Sequence, residues 1–161
     1  MTSREEFLAA VRLEERPPVE PPELPPLRQE RGAALAERFV TAAEASGAHV
    51  HRGVDVDEIV AGRGPDEVGV SRAAYGLAET GSVVLLSGPE EPRARSLLPP
   101  AHVSLLREAD LLPGLAELFA ELGPDLPSAL AIVTGPSRSA DIEQKLTIGV
   151  HGPGEVHIIL T

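Results

Sequence analysis

Apolar residues along this chain gather into short aliphatic runs, separated by segments in which they recur at helical spacing. Each run is bounded by Gly, Pro or polar residues and has the length of a strand. The predicted strands are residues 48–52, 68–70, 82–87, 101–106, 129–134 and 156–160. The predicted helices between them are residues 28–46, 55–61, 72–78, 110–122 and about 140–146. This alternation predicts an α/β fold, a three-layer, Rossmann-like sandwich with a mostly parallel sheet and a crevice at the strands' C-terminal ends.

The first residues carry a different pattern. Ser3 and Glu6 have the spacing of a capping box, and the apolar residues that follow predict a short amphipathic helix over residues 3–14. Three proline pairs follow within residues 16–27, and they favour an extended, semi-rigid spacer over helix or central strand. We therefore divide the chain into an N-terminal helix and proline-rich strut, residues 1–27, and a single α/β domain, residues 28–161.

The C-terminal segment has the order strand, polar loop, helix, turn, strand. Gly135-Pro136 ends the strand, and either Ser137 or Ser139 can cap the next helix, with Asp141 in its first turn. A helix start of this kind presents unpaired N–H groups, and the guanidinium of Arg138 suits a carboxylate or phosphate. The alternative is structural: Ser139 only caps the helix, and Arg138 pairs with a neighbouring carboxylate. From spacing alone the two interpretations stay open.

Three motifs in a fixed order resemble the lactate-utilisation protein C family, whose members are also called LUD-domain proteins. They are Tyr75-Gly-Leu-Ala-Glu-Thr-Gly-Ser-Val-Val-Leu-Leu86, Ser96-Leu-Leu-Pro-Pro-Ala-His102, and Thr134-Gly-Pro-Ser-Arg-Ser-Ala-Asp-Ile-Glu143 followed by Gly149-Val-His-Gly-Pro153. The resemblance covers about residues 68–161 well and residues 28–52 loosely. The chain therefore looks like a shortened member, with material missing between residues 51 and 68.

This resemblance implies the NagB/RpiA/CoA-transferase-like version of the α/β fold. It also implies a subunit that acts beside iron–sulfur proteins in the oxidation of L-lactate to pyruvate. The pocket would bind a small carboxylate or a phosphorylated ligand, with Glu79 as the candidate catalytic group. The candidate ligand-binding residues are Thr80, Gly81, Thr134, Gly135, Pro136, Ser137, Arg138, Ser139, Asp141 and His151.

The composition of the chain limits the kinds of molecule that it can bind. The 161 residues carry a net charge of -11 with only 2% aromatic residues, which opposes binding to a nucleic-acid backbone or stacking on bases. The chain has no cysteine, so within it no cysteine-held cluster or thiolate nucleophile is possible, and iron–sulfur clusters are expected only in partner proteins. No apolar run approaches the length of a membrane span, and charged residues occupy the start, so we expect a cytoplasmic protein.

The five histidines show no strong metal-binding spacing. His49 and His51 alternate on a predicted strand, so both can face one side, but no further ligand stands at a recognisable distance in sequence. His102, His151 and His157 come from separate elements and could converge. We expect no bound metal and no cofactor in this chain.

Two other functions fit the residues. The first is a stand-alone enzyme like the sugar-phosphate isomerases, CoA transferases or folate cyclo-ligases of this fold, with Glu79 as base or nucleophile. The second is a non-catalytic assembly protein that uses its N-terminal helix and strut to grip a neighbour or a second copy, as a homo-oligomer. Catalysis therefore stays an open question at the level of sequence.

Overall fold

The computed structural model describes residues 3, 4, 6, 26–124, 126–139 and 147–161. The helices are α1 (Ala33–Ala45), α2 (Val56–Val60), α3 (Ala94–Leu97) and α4 (Leu115–Leu122), with a 3₁₀ turn at Glu108–Asp110. The strands are β1 (His49–Arg52), β2 (Val68–Arg72), β3 (Tyr75–Leu77), β4 (Ser82–Leu86), β5 (Ala101–Leu106), β6 (Leu111–Leu112), β7 (Leu130–Val133), β8 (Arg138–Ser139), β9 (Thr147–Ile148) and β10 (Glu155–Leu160).

These strands form two larger sheets and one small ribbon. The first sheet has the order β1-β10-β5-β2 and is entirely parallel. The second has the order β6-β3-β4-β7, in which β3 and β6 are parallel and the other pairs antiparallel. The ribbon pairs β8 with β9. The predicted α/β fold with a mostly parallel central sheet is confirmed.

The main core lies between the two sheets, and α1 packs into it. Phe39 of α1 is fully buried there, among Ile158 of the parallel sheet and Val83 of the mixed sheet. Burial of an aromatic or aliphatic side chain of this size contributes about 1.5–3 kcal/mol. A smaller core, with Val84 and Leu118 at its centre, joins the other face of the mixed sheet to α4. The two sheets therefore face each other across this core together with α1, and α4 covers the other face of the mixed sheet.

His102 belongs to the main core. It is fully buried, and its Nε2 lies 3.1 Å from the hydroxyl of Ser71 on the neighbouring strand. Burial lowers the pKa of His102 to about 4, because the protein interior disfavours the charged imidazolium. The ring is therefore neutral at pH 7, and its contact with Ser71 ties β5 to β2.

The predicted helix over residues 72–78 is wrong. β2 runs from Val68 to Arg72, and Tyr75–Leu77 forms β3, which lies between β4 and β6. Gly76 allows this, because a Cβ there would lie 2.6 Å from side-chain atoms of Leu106 and Leu111. Strand pairing across the sheet therefore overrides a local spacing that also suits a helix.

Two helix starts were also predicted too early. α1 begins at Ala33 and not at residue 28, since Gly32 with φ 79° precedes it. α4 begins at Leu115 and not at residue 110, because Leu111–Leu112 pairs with β3 as β6. α2 lies within the predicted helix 55–61 and begins after a capping box formed by Asp55 and Glu58. α1 ends close to the predicted position, before Gly47 with φ 95°.

Three predictions fall mainly on other parts of the chain. The N-terminal helix and the proline-rich strut lie almost wholly outside the described residues, although Ser3 and Glu6 make both capping-box hydrogen bonds. The helix after Ser139, with Asp141, also lies outside them. Within the described part, Arg138–Ser139 forms the short strand β8.

Candidate functional site: a hydroxyl-lined cavity

The turn between β3 and β4 places the first candidate residues. Its backbone is held by hydrogen bonds from the amides of Ala78 and Glu79 to the carbonyls of Leu112 and Pro113, at 2.9 and 3.0 Å. Gly81 closes the turn with φ 67°, and a Cβ there would lie only 2.0 Å from the backbone nitrogen of Ala43 in α1. Only glycine fits this conformation and this close approach. The turn is therefore fixed between α1 and the segment that leads into α4.

A cavity of about 300 Å³ opens beside this turn, on the α4 side of the mixed sheet. Strand alternation explains its lining, because Ser82, Ile132 and Thr134 project from the same face of the sheet. The walls are mostly apolar, and the beginning of α4 closes one side. The lining residues are Leu77, Glu79, Thr80, Ser82, Gly114, Leu115, Ile132 and Thr134.

Three of these residues join their hydroxyl groups in a chain. The Oγ of Ser82 lies 2.6 Å from the Oγ1 of Thr80 and 2.6 Å from the Oγ1 of Thr134. Three hydroxyls carry three protons, and the two hydrogen bonds use two of them. Within the described contacts, one O–H therefore remains to donate to an acceptor oxygen in the cavity. Ser82 is buried and central to this chain, although the sequence prediction did not single it out.

Glu79 is held at the lip of the cavity by an arginine from far along the chain. The Nη2 of Arg28 lies 2.9 Å from Oε2 of Glu79 and 3.1 Å from Oε2 of Glu117, which is only 7% exposed. The backbone amide and Nε of Arg28 also donate to Glu117, at 2.8 and 3.2 Å. Glycine at position 114 makes room, since a Cβ there would lie 2.3 Å from both Arg28 Nη2 and Glu79 Oε2.

This network pairs one guanidinium with two carboxylates, so it balances only part of the negative charge beside the cavity. Hydrogen bonding to the Arg28 guanidinium lowers the pKa of Glu117 to about 2, and the two carboxylates raise the pKa of Arg28 above its usual value. Sequence analysis missed both Arg28 and Glu117. The available signal was a glutamate in the first turn of the helix, and the partner 89 positions away had no local signature.

The second predicted segment forms a separate loop. After Thr134, Gly135 turns with φ 64° against the carbonyl of Ser46, which would be 2.4 Å from a Cβ. The backbone amide of Ser137 donates to the carbonyl of Pro153, and the amide of Gly149 donates to the carbonyl of Ser137, both at 2.9 Å. The loop 149–153 therefore packs against Ser137. The Arg138 guanidinium donates to the carbonyl of Ser46 at 2.8 Å. It caps the C-terminal end of α1, which is a structural use of this cation.

The structure thus divides the predicted site residues into two groups. Glu79, Thr80 and Thr134 meet at the cavity, with Gly81 supporting the turn. Gly135, Pro136, Ser137, Arg138 and Ser139 belong to the neighbouring loop and ribbon. His151 is an exposed residue of the loop 149–153, whose Gly149 and Pro153 bond to the Ser137 backbone, and Asp141 lies outside the described residues. Ligand roles for all of them stay predictions.

The suggested convergence of His102, His151 and His157 is wrong. His102 faces the core, and His157 points to the opposite face of the parallel sheet, where it meets His49 and His51. Register explains the difference, because His157 alternates with the core residues Val156 and Ile158 along β10. Sequence analysis did expect His49 and His51 to share one face.

The fold and this cavity define an α/β protein with a small site at one end of a mixed sheet. The LUD domain family matches residues 67–161, more than half of the chain. The chain belongs to the LUD-domain family.

Several curated proteins are similar over the same region. Lactate utilization protein C of Halalkalibacterium halodurans is 43% identical over 93 residues, which are 54% of this chain and 40% of that protein. The uncharacterized protein YkgG of Escherichia coli K12 is 45% identical over 93 residues, again 54% and 40%. Lactate utilization protein C of Bacillus subtilis is 36% identical over 99 residues, 58% and 41%. The matched region spans about 40% of the length of these relatives.

A solved structure supports the fold. The crystal structure of a DUF162 family protein from Deinococcus radiodurans superposes with a TM-score of 0.56 at 17% identity, over 79% of this chain and 96% of that one. No helix in the described part of the chain is both long and apolar enough to cross a membrane.

Proposed function

We propose that this chain is a LUD-domain subunit that takes part in the oxidation of L-lactate to pyruvate, and that its hydroxyl-lined cavity binds a small anionic ligand. The observation that carries the proposal is that residues of the family motifs line the hydroxyl-lined cavity. Glu79, Thr80 and Thr134 come from two family motifs and line one cavity. Relatives that share this region are named lactate utilization protein C.

The lining supports a ligand with acceptor oxygens. One hydroxyl proton of the Thr80–Ser82–Thr134 chain remains to donate. The cavity also borders the start of α4, whose first residue follows Gly114, and Gly114 supplies no side-chain cap to the free N–H groups. Such N–H groups favour negative charge. Arg28 pairs with both Glu79 and Glu117, so it reduces the negative charge at the lip without cancelling it, and the hydroxyls and helix N–H groups supply the attraction for an anion.

The apolar walls and the volume favour a small molecule. About 300 Å³ is at the lower end of known ligand sites, and Leu77, Leu115 and Ile132 present hydrocarbon to it. A carboxylate bound at the hydroxyls would leave a methyl group, such as that of lactate or pyruvate, against these side chains. Inorganic phosphate has negative charge but no methyl group, so its binding tests whether charge alone is enough for a ligand to occupy the cavity.

Electron transfer is assigned to partner proteins. Conversion of L-lactate to pyruvate removes two electrons and two protons, and this chain has no cysteine with which to hold an iron–sulfur cluster. In this proposal the chain binds and orients a ligand, while iron–sulfur partners accept the electrons. Anaerobic purification from native cells should then recover cysteine-rich iron–sulfur proteins in a fixed ratio, and recovery of the chain alone would contradict the partnership.

Ligand binding is tested by titrating the full chain with L-lactate, D-lactate, pyruvate and inorganic phosphate, by calorimetry or NMR. Thr80→Val and Thr134→Val remove one hydroxyl each without changing side-chain shape, and we expect at least about tenfold weaker binding. Thr41→Val is the matched control, since the exposed Thr41 donates to the Glu37 carbonyl within α1 and does not line the cavity. Saturable binding by none of the four ligands, or equal affinities in all variants, would contradict the proposal.

A role for Glu79 in proton transfer is the second candidate function. It is favoured by the position of the carboxylate on the cavity wall, where it can reach a bound ligand. Glu79→Gln should then abolish turnover of a substrate and leave its binding intact. Loss of binding together with turnover would instead assign Glu79 to the ligand site alone.

A further inference from the structure

A second cavity, of about 220 Å³, opens between the two sheets, and in the described part of the chain it shares no lining residue with the hydroxyl-lined cavity. β4 joins the two places, since Ser82 at its start lines the first cavity, while Leu85 and Leu86 at its end line the second. β2 and β7 supply further walls, and α3 with the loop before it closes one side. We call this space the Ser71 cavity, after the β2 serine on its wall.

Ser71 is a buried polar group on the core side of the parallel sheet. It is the register partner of Ser104 on β5, which in turn pairs with the core residue Ile158 on β10. Side chains in one such row share a face of the sheet, so Ser71 lies on the inner face, and it is only 5% exposed. Its Oγ lies 3.1 Å from Nε2 of the fully buried His102. The cavity wall therefore carries a hydroxyl with an imidazole behind it.

The surroundings of His102 decide which way the Ser71 hydroxyl donates. A neutral imidazole carries one N–H, and Nδ1 of His102 is buried with no hydrogen-bond partner among the described residues. Buried N–H groups without an acceptor are rarer than buried acceptors without a donor, so the proton belongs on Nε2, which donates to Ser71 Oγ. The Ser71 hydroxyl proton is then not used by the ring. Within the described contacts it remains to donate to an acceptor in the cavity.

Arg93 adds a positive charge to the lining. Among the described residues no carboxylate pairs with its guanidinium. The carboxylate of Glu91 also lines the cavity, but it already has partners: Oε2 lies 3.4 Å from Arg95 Nη1, and Oε1 accepts from the backbone amide of Arg72 at 3.3 Å. A planar guanidinium suits a carboxylate ligand, which it can hold through two parallel hydrogen bonds.

The remaining lining is mainly hydrocarbon, and one wall is closely fixed. Leu85, Leu86 and Leu130 present aliphatic side chains to the cavity. The α3 wall is held against β2, because a Cβ on Gly69 would overlap the backbone carbonyl oxygen of Arg95. A volume of about 220 Å³ is below the range of about 300–1,000 Å³ that holds drug-sized ligands. The space therefore suits a small molecule with a polar end and a short apolar chain.

We propose that the Ser71 cavity binds a short-chain aliphatic carboxylate such as butyrate. The carboxylate accepts a hydrogen bond from the Ser71 hydroxyl and pairs with Arg93, and the alkyl chain lies against the leucine side chains. His102 is a positioning residue, since its Nε2–H turns the Ser71 proton towards the ligand. This site is separate from the hydroxyl-lined cavity and does not depend on the function proposed for that cavity.

The test is a titration of the full chain with acetate, butyrate and octanoate, followed by NMR. We expect saturable binding of butyrate, with weaker binding of acetate, which buries less hydrocarbon, and of octanoate, which is too long for the cavity. Butyramide has nearly the same shape without the charge, and it should bind at least about tenfold more weakly than butyrate. Equal binding of butyrate and butyramide would overturn the carboxylate assignment.

Variants of the lining locate the ligand. Ser71→Ala and Arg93→Gln should each weaken butyrate binding at least about tenfold, since each removes a donor to the carboxylate. Ala129→Leu fills the cavity with hydrocarbon and removes no polar group, so it should abolish binding. Arg31→Gln is the matched control for Arg93→Gln, because Arg31 is exposed and does not line the cavity, and its affinity should equal that of the unchanged chain.

Three outcomes would overturn the proposal. The first is the absence of saturable butyrate binding at millimolar concentration, and the second is equal affinity in Ser71→Ala, Ala129→Leu and the unchanged chain. The third is loss of binding in Thr80→Val with full binding in Ser71→Ala, which would place butyrate in the hydroxyl-lined cavity. Circular dichroism shows whether each variant folds.

If Ser71→Ala fails to fold, Ala129→Leu and the nitrogen resonances of His102 decide. The ¹⁵N chemical shifts of the ring distinguish its two tautomers in the unchanged chain. We expect the proton on Nε2. A proton on Nδ1 would overturn the proposal, because Ser71 would then donate its proton to the ring and have none for a ligand.

Discussion

The turn at residues 78–82 and the loop at residues 135–139 lie against the same end of α1 and use their side chains in different ways. Gly81 and Gly135 both adopt positive φ, 67° and 64°, and both press on the backbone of α1. The turn places the side chains of Thr80 and Ser82 at a cavity, while in the loop the Arg138 side chain donates to the carbonyl of Ser46. Signature residues of one family can thus serve packing in one segment and line a cavity in the other.

The anchors of the two segments also differ in chemistry. The turn is tied down by Arg28, whose partners are the carboxylates of Glu79 and Glu117. The loop is tied down by Arg138, whose partner is a backbone carbonyl. Carboxylates take up protons in acid and backbone carbonyls do not. Lowering the pH should therefore weaken the anchor of the turn and leave the anchor of the loop unchanged.

The largest expected effect is on the shared glycine packing. Gly81→Ala should lower the free energy of unfolding by about 3–5 kcal/mol, because the added methyl meets α1 backbone in a conformation that alanine resists. Gly135→Ala should fall near the same range. Gly62→Ala is the control, with φ 78° and nothing within 4 Å, and should cost about 1 kcal/mol. Urea unfolding measures all three, and equal costs for Gly81 and Gly62 would contradict the packing argument.

The next effect concerns the turn's anchor. Glu117→Gln should cost about 1–3 kcal/mol, since Arg28 loses the charged acceptor of three hydrogen bonds. Glu121→Gln on the same helix is the control, because Glu121 is exposed, and it should be nearly neutral. Chemical unfolding at pH 7 compares them. Indistinguishable stabilities would show that the network contributes little.

A pH series then sharpens the contrast between the anchors. The pKa of Glu117 is lowered from 4.5 to about 2 by Arg28, so its stabilisation is present above pH 4.5 and is lost as pH falls towards 2. The stability difference between the unchanged chain and Glu117→Gln should therefore shrink from pH 5 to pH 3. For Arg138→Met the difference should stay constant over that range. A parallel decline in both would contradict the assigned partners.

The smallest effect is expected at the loop's anchor. Arg138→Met should cost about 1 kcal/mol, by removing one hydrogen bond and a cation from the end of α1. Ligand affinity in the cavity should not change. Arg31→Met is the control, because Arg31 is exposed and donates to the carbonyl of the adjacent Glu30. If Arg138→Met instead lowered ligand affinity and left stability unchanged, Arg138 would be a ligand-binding residue, as the sequence suggested.

Much of the fold could be predicted because local signals agree with it. β5 has the bounds expected from its aliphatic run, Ala101–Leu106, and α2, Val56–Val60, lies within the predicted helix 55–61. The prediction failed at Tyr75–Leu77, where spacing suits a helix but both neighbouring strands pair with it. At the site, Glu79, Thr80 and Thr134 were predicted and do line a cavity, whereas Arg28 and Glu117 were not, since their contact spans 89 positions.

The sequence by itself determined the α/β class, most strand positions, the turn glycines and the family signature. These depend on neighbours within a few residues, where periodicity, capping and positive φ act directly. Only the tertiary structure decided that Ser82 links two threonine hydroxyls, that Arg138 caps α1, and that three histidines from β1 and β10 meet. Such contacts depend on strand order and register, which distant segments set together and no local pattern records.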